Sequence, residues 1–287
     1  MDAKNCSKET LPLLGNSVKL LLLLFVFGFF QCRQATKVDE YSGMLRFVND
    51  ATFRNSHQKP ISVILDTVGS MEQYLSEDGS KQKAYFIKKE NAKKTLLVFH
   101  EWWGLNDNIK MKCQSLSTEI ADANILGLDL YNGQVAATPD DASNFMKLVK
   151  YQGALDNIQG AINHFAKDQN LATIGWCFGG GWSLQAAIMA GNQVKACVVY
   201  YGMPEMDDKK LVNLKAPVLG LFAEKDAWIT PEVVENFDDV MKALGKDFKH
   251  YSFPAEHAFA NPSGSRYNQE EATKANKIAL DFLKHNF

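Results

Sequence analysis

A glycine-rich pentapeptide between an apolar run and a helix-forming stretch restricts the fold of this chain most. Residues 175–179 read GWCFG, and two further glycines follow. This is the form of the nucleophile elbow G-x-S-x-G, with cysteine in the place of serine. The motif needs small residues two positions on either side of its centre, because the backbone and the next helix approach closely there. The pattern predicts a strand, a sharp turn that presents Cys177, and a helix.

Two other interpretations of this segment fit the sequence less well. A phosphate or dinucleotide loop is disfavoured, because GWCFGGG does not match G-x-G-x-x-G from its first glycine and lies far from a first βαβ unit. A buried structural cysteine fits Cys113 and Cys197 better, since these fall within a predicted helix and an apolar strand. We therefore favour a nucleophilic Cys177, whose thiolate would be stabilised by the free amides at the helix N-terminus.

Strands and helices alternate from residue 81 onward. Strands are predicted at 84–88, 95–99, 124–130, 171–175, 194–201, 217–222 and 248–253, and helices at 106–121, 139–150, 154–167, 182–190, 231–244 and 268–283. This alternation predicts an α/β fold whose mostly parallel central sheet carries helices on both faces. In such folds the active site lies beyond the carboxyl ends of the strands.

A base and an acid follow two of the later predicted strands. Asp226 lies on the loop after 217–222, and His257 lies on the loop after 248–253. The order nucleophile, acid, histidine is the one that this elbow motif uses. The alternative for Asp226 is a helix cap, and the alternative for His257 is a surface loop histidine. The rival side chains, each less well placed, are Glu224, His250 and His285.

The loop after residues 95–99 reads HEWWG and is expected to supply one amide of an oxyanion hole. The other amide would be that of Phe178, which follows the nucleophile. Glu101 is interpreted either as a hydrogen-bond partner of the resting thiol or as a loop charge. Trp102 and Trp103 are expected either to wall a pocket or to pack against the sheet edge.

The N-terminus differs from the rest of the chain. Residues 20–30 form an unbroken apolar run that follows Lys19, and eleven residues are fewer than the ~20 that span a bilayer. We predict a signal peptide or a lipoprotein leader over residues 1–35, with Cys32 as the lipid-bearing residue in the second case. A buried core helix is the alternative. The protein is accordingly expected to be exported, periplasmic or extracytoplasmic, with membrane anchoring only through its N-terminus.

Residues 36–80 are interpreted as an N-terminal extension that adds a strand or two, and residues 81–287 as the catalytic domain. The net charge of −2 comes from 31 basic and 33 acidic residues spread along the chain. Nucleic-acid binders usually carry a basic surplus in a patch, so this class is excluded. Outside the leader three cysteines remain, and an odd number in an exported protein indicates a free reactive thiol. We expect a monomer that acts on a small molecule.

Taken together, these segments resemble the dienelactone hydrolase family, the carboxymethylenebutenolidase-like α/β-hydrolases. HEWWGLND, LDLYNG, GWCFGGGWS, FAEKDAW and EHAFANP occur in family order between about residue 80 and the end. The resemblance implies an α/β-hydrolase fold without a metal or organic cofactor. It also implies that a glutamate holds the resting thiol until substrate displaces it. The implied residues are a triad of Cys177, Asp226 and His257, the glutamate Glu101, and the oxyanion-hole amides of Trp102 and Phe178.

The chain departs from the family at the substrate carboxylate. Family enzymes that act on dienelactone bind it with two arginines, where this chain has residues 132–134 (Asn-Gly-Gln) and Asn261. Arg266 is close enough in sequence to compensate. We therefore expect a small ester or lactone other than dienelactone, held in a pocket of Trp103, Tyr131 and Asn261. The alternatives are a non-catalytic binding protein on the same fold and a cysteine hydrolase of another acyl bond, such as a thioester or peptide.

Overall fold

An eight-stranded sheet forms the centre of the computed structural model, which describes residues 43–65 and 68–287. The spatial order is β1-β2-β4-β3-β5-β6-β7-β8; β1 and β2 are antiparallel to their neighbours, and every other pair is parallel. The predicted fold class is confirmed. The strands are β1 Ser70–Leu75, β2 Lys81–Ile87, β3 Lys94–Phe99, β4 Asn124–Leu128, β5 Asn170–Trp176, β6 Val194–Tyr200, β7 Val218–Ala223 and β8 Phe248–Phe253.

Helices cover the sheet in two layers because its connections run in two directions. The chain passes from β3 to β4 on one side and from β4 back across to β5 on the other. Right-handed crossovers therefore place the helices of these two connections on opposite faces. The helices are α1 Ala51–Ser56, α2 Asp107–Glu119, α3 Pro139–Leu148, α4 Tyr151–Phe165, α5 Phe178–Ala190, α6 Asp208–Leu211, α7 Pro231–Ala243 and α8 Gln269–Asn286. Within the described ranges, none of them is both long and apolar enough to cross a membrane.

Helix α5 begins at Phe178, four residues before the predicted start at residue 182. The prediction was wrong because consecutive glycines were interpreted as a turn. Here they are helical because the first turn of α5 lies directly on the strand ends. A Cβ on Gly179 would stand 2.3 Å from the carbonyl oxygen of Phe99, and one on Gly180 would stand 2.7 Å from that of Tyr200. The glycines thus allow close packing rather than chain reversal.

The N-terminal extension reaches the carboxyl edge of the sheet. Its described part contains a 3-10 helix at Gly43–Phe47, helix α1 and strand β1. Asp50 caps α1 by accepting hydrogen bonds from two amides of the first turn. Phe53 is fully buried, and its ring centroid lies 5.3 Å from that of Trp102 and 5.2 Å from that of Trp228. The extension therefore packs on the loops that carry the predicted site.

All of these described residues belong to one compact unit, Asp39–Phe287. The predicted leader, residues 1–35 with Cys32, lies outside the described residues.

Candidate active site

Cys177 occupies a strained turn between β5 and α5. Its backbone has φ 53° and ψ −116°, a region that non-glycine residues rarely adopt and that costs on the order of 1–3 kcal/mol. A Cβ on Gly175 would stand 2.0 Å from the carbonyl oxygen of Gly179, so both motif glycines are needed for the chain to close this turn. The Cys177 amide donates to the Tyr200 carbonyl at 3.0 Å. This arrangement holds the thiol at the carboxyl edge of the sheet, with 2% of the residue exposed.

His257 and Asp226 form a buried pair after β8 and β7. His257 Nδ1 lies 2.6 Å from Asp226 Oδ2, and both side chains are fully buried. The second carboxylate oxygen, Oδ1, accepts from the amides of Trp228 and Ile229, each at 2.9 Å. A carboxylate at Nδ1 selects the tautomer that carries its hydrogen there, so Nε2 keeps its lone pair. Nε2 has no hydrogen-bond partner among the described residues.

The sheet topology explains why residues distant in sequence meet. The connections after β3 and β5 leave in opposite directions, and this switch point opens a crevice beyond the strand ends. Glu101 follows β3 and Cys177 follows β5 at that crevice. The structure brings together all four residues predicted to take part in catalysis: Glu101, Cys177, Asp226 and His257.

Glu101 is a buried carboxylate beside the thiol. It accepts a hydrogen bond from the Asn261 side-chain amide, and the Tyr201 hydroxyl lies 3.5 Å from its other oxygen. Burial raises the pKa of Glu101 to about 7, although Asn261 and the charge of Arg266 act to lower it. The acid is therefore about half ionised at neutral pH.

The Cys177 thiol is protonated in this resting arrangement. Burial, and after it the negative charge of Glu101, raises the pKa of Cys177 well above its ordinary value. A hydrogen bond from the Phe178 amide at the helix N-terminus lowers the pKa of Cys177, as expected from the sequence, but this effect is smaller than that of burial. A thiolate therefore forms only when a base removes the proton or the surroundings of the thiol change.

Hydrogen bonds of the His100 and Tyr131 side chains hold the HEWWG loop in place. His100 Nδ1 lies 2.6 Å from the Glu101 carbonyl oxygen, and its Nε2 accepts from the Leu130 amide at 3.1 Å. The Tyr131 hydroxyl donates to the Trp102 carbonyl at 3.1 Å. Tyr131 was expected to wall the substrate pocket. Instead it is buried and supports the loop from the core side, so its ring is not part of the cavity wall at Cys177.

The two tryptophans of this loop take different positions, which the sequence left open. The Trp102 indole is 1% exposed and packs against Phe53 and His57, with ring centroids 5.3 Å and 4.6 Å away. Trp103 lines the cavity beside Cys177. The Trp102 side chain therefore belongs to the core, whereas the Trp103 side chain borders the cavity at the thiol.

One cavity adjoins the thiol, and a second lies beyond Glu101 and Asn261. The first has a volume of about 20 Å³ and is enclosed by the extension on one side and by catalytic loops on the other; its walls include Ser56, His57, Gln58, Trp103, Cys177, Asn261 and Arg266. The second has a volume of about 330 Å³ and is lined by residues that include Lys112, Trp176 and Tyr201. Glu101 and Asn261 border both cavities. The first holds about one water molecule, so a substrate must displace part of its wall.

Arg266, named from the sequence as a compensating cation, does reach this site. It lines the smaller cavity, and its guanidinium lies 5.5 Å from the centroid of the Trp228 ring. Its charge acts on Glu101, Cys177 and His57. The site therefore offers one guanidinium near the thiol.

His57 is the residue of this site that the sequence did not reveal. It is 6% exposed, and its Nδ1 lies 2.6 Å from the Phe53 carbonyl oxygen. Its Nε2 has no hydrogen-bond partner among the described residues. One ligand atom each from His57, Cys177 and His257 lie within 4.8 Å of one another. No local pattern in residues 36–80 indicates this role, because it arises from the packing of Phe53 on Trp102.

Known proteins are similar to this chain in sequence and in fold. The family model described as the dienelactone hydrolase family matches residues 82–287. A relative from Aquifex aeolicus (strain VF5), named "Putative carboxymethylenebutenolidase", is 30% identical over an alignment of 230 residues that covers 76% of this chain and 98% of the relative.

Two solved structures have the same fold. A dienelactone hydrolase-like promiscuous phosphotriesterase from metagenomic libraries has a TM-score of 0.65 at 20% identity, over 77% of this chain and 99% of that chain. A dienelactone hydrolase from Anabaena variabilis has a TM-score of 0.58 at 18% identity, over 77% of this chain and 99% of that chain.

Proposed function

The chain belongs to the dienelactone hydrolase family, and we propose that it is an exported hydrolase that cleaves a small ester or lactone through Cys177, Asp226 and His257. One observation supports this most strongly. A buried histidine, oriented at Nδ1 by a carboxylate 2.6 Å away, keeps an Nε2 without a partner among the described residues, and a nitrogen of its ring lies within 4.8 Å of the Cys177 sulfur. A nucleophile, a base and a group that orients the base are the parts that covalent acyl transfer needs.

In the resting state the thiol is neutral and Glu101 is bound to Asn261. The proposed first step is entry of a substrate, which displaces the Glu101 carboxylate from the thiol. Removing that negative charge lowers the pKa of Cys177, so proton transfer to His257 Nε2 becomes favourable. The site is thus inactive without substrate, which limits unwanted reactions of the thiolate.

The thiolate then attacks the carbonyl carbon, and the carbonyl oxygen becomes an oxyanion. The amides of Trp102 and Phe178 are the proposed donors to this oxyanion, and each such donor is worth about 3–4 kcal/mol of barrier. The His257 imidazolium, stabilised by Asp226, donates its proton to the leaving oxygen. A water activated by the same nitrogen finally releases the acyl group from Cys177.

The basic side chains that line the two cavities favour a substrate that carries a negative charge. Arg266 lines the cavity at the thiol, and Lys112 lines the larger cavity on the other side of Glu101. A carboxylate bound by a guanidinium gains about 1.5–3 kcal/mol. We therefore infer that the preferred substrate carries a carboxylate that contacts Arg266, with its bulk in the cavity of about 330 Å³.

Hydrolysis of p-nitrophenyl acetate by the wild type and by Cys177→Ala tests this proposal. We expect the variant to lose at least about 10³-fold in kcat/KM, since the remaining groups cannot replace a nucleophile. Cys113→Ala and Cys197→Ala are matched controls, because both thiols are buried away from this cavity. Equal activity of the wild type and Cys177→Ala would refute the mechanism.

Selectivity is tested by Arg266→Gln with a pair of esters that differ only in a carboxylate. We expect kcat/KM to fall about 10- to 100-fold for the acidic ester and to change little for the neutral one, the effect of losing one charge-assisted hydrogen bond. An equal loss for both esters would contradict carboxylate binding at Arg266. A non-catalytic binding protein would give no turnover and no faster alkylation at Cys177 than at the two other cysteines.

A further inference from the structure

We propose that His57, Cys177 and His257 form a binding site for a thiophilic divalent cation such as Zn²⁺. The site combines two catalytic residues with a histidine of the N-terminal extension, which lies outside the part of the chain matched by the family. One donor atom from each residue lies within 4.8 Å of the others, and all three residues are buried. Because a bound cation would occupy Cys177 and His257, we also expect it to stop turnover. That expectation rests on the proposed function, whereas cation binding itself does not.

Both imidazoles are oriented as metal ligands are. Nδ1 of His257 is engaged by the Asp226 carboxylate at 2.6 Å, and Nδ1 of His57 by the Phe53 carbonyl at 2.6 Å. An acceptor at one ring nitrogen fixes the tautomer and directs the lone pair of the other nitrogen toward a metal. Both Nε2 atoms are buried without a partner among the described residues, and a cation would satisfy both.

The donor set selects the class of cation. One thiolate and two imidazoles suit Zn²⁺ and related soft ions, whereas Mg²⁺ and Ca²⁺ require oxygen ligands. Zn–S and Zn–N bonds of about 2.3 Å and about 2.0 Å in a tetrahedron place donor atoms about 3.5 Å apart. The three atoms would therefore approach one another by about 1 Å. The adjoining space of about 20 Å³ accommodates one water as the fourth ligand.

Binding exchanges a proton for the cation without any redox change. The Cys177 S–H bond breaks, a bond from sulfur to the cation forms, and the proton passes to solvent. The nearest charges are the Glu101 and Asp226 carboxylates, which attract the cation, and the Arg266 guanidinium, which repels it. His57 contributes its buried Nε2, which has no hydrogen-bond partner among the described residues.

Anaerobic titration of the chelator-treated full chain with Co²⁺ tests the site. Cobalt bound to a thiolate gives a charge-transfer absorption in the near ultraviolet that bound oxygen and nitrogen alone do not give. We expect this band at one cobalt per chain, its loss in Cys177→Ser, and at least about tenfold weaker binding in His57→Ala. His285→Ala, an exposed histidine of α8, is the matched control and should bind as the wild type does.

Competition with Zn²⁺ against a chromogenic chelator gives the zinc affinity of the same proteins. Circular dichroism and thermal unfolding of each variant separate loss of a ligand from loss of the fold, and His57→Gln provides a second variant of similar size. A missing cobalt band in folded wild-type protein, or equal affinity in folded His57→Ala and wild type, would overturn the site.

Turnover in the presence of Zn²⁺ separates this inference from the proposed function. We expect the zinc concentration for half inhibition to be at least about tenfold higher in His57→Ala than in the wild type. A protein that binds cobalt but hydrolyses no ester would contradict the proposed function alone. A protein that hydrolyses esters but binds no cobalt would contradict the cation site alone.

Discussion

Replacing Glu101 with glutamine should make the protein more stable at alkaline pH. Glu101 is 7% exposed, and burial raises its pKa from an ordinary 4.5 to about 7. Between these two values the unfolded chain has released a proton that the folded chain retains. The free energy of unfolding therefore falls as pH rises from about 4.5 to about 7 and stays low above that range.

The magnitude follows from the two pKa values. A difference of about 2.5 pKa units at about 1.4 kcal/mol each means that ionising Glu101 lowers the free energy of unfolding by about 3.5 kcal/mol. Glutamine cannot ionise, so its side chain avoids this loss. Its carbonyl oxygen can still accept from Asn261, but the oxygen near Tyr201 is replaced by an amide, at a cost of about 1 kcal/mol. We expect Glu101→Gln to be about as stable as the wild type at pH 5, where ionisation of Glu101 already lowers the free energy of unfolding of the wild type by about 1 kcal/mol, and about 2.5 kcal/mol more stable at pH 8.5.

Urea unfolding of the wild type and the variant between pH 5 and pH 9 measures this difference. The matched control is Glu205→Gln, because that carboxylate is equally buried but lies 3.2 Å from Lys210 Nζ. Loss of this ion pair should lower the free energy of unfolding. A difference between the wild type and Glu101→Gln that stays constant from pH 5 to pH 9 would refute the reasoning.

Three further outcomes are expected. Asp226→Asn should lower kcat for p-nitrophenyl acetate about 10³- to 10⁴-fold, because an amide no longer selects the productive histidine tautomer; unchanged kcat would contradict the triad. Gly175→Ala should reduce the free energy of unfolding, measured by urea denaturation, by about 3 kcal/mol, because the new Cβ would stand 2.0 Å from the Gly179 carbonyl oxygen. Gly153→Ala is the control and should be tolerated, because its Cβ would meet no atom nearer than 3.9 Å. Phe53→Ala should destabilise the protein by about 3–5 kcal/mol in the same assay, and a loss below about 1 kcal/mol would show that the extension packs weakly.

Much of the fold follows from local patterns. Buried parallel strands are nearly continuous apolar runs, so the strand predicted at 194–201 matches β6, Val194–Tyr200, to within one residue. The helix predicted at 106–121 corresponds to α2, which Asn106 caps by accepting from the Ile109 amide at 3.1 Å. The start of α5 was misjudged, because a glycine run has no helical preference of its own. Its helix depends on packing against the ends of β3 and β6.

The sequence by itself determined the order of the loops that carry the candidate site and the side chains that they present. A strand that ends in GWCFG and later strands that end before Asp226 and His257 must bring these side chains to one edge of a parallel sheet, because all such strands end on the same side. The identity of Arg266 as a nearby cation also followed from its short separation from His257.

Only the tertiary structure decided what surrounds the thiol. The protonation state of Cys177 depends on burial and on the charge of Glu101, and both depend on distances through space. The position of His57 depends on how the extension folds back, where the fully buried Phe53 packs on Trp102 and Trp228. Local patterns report which backbone conformation a segment prefers. They do not report which distant side chain completes a site, because that is set by the packing of one segment on another.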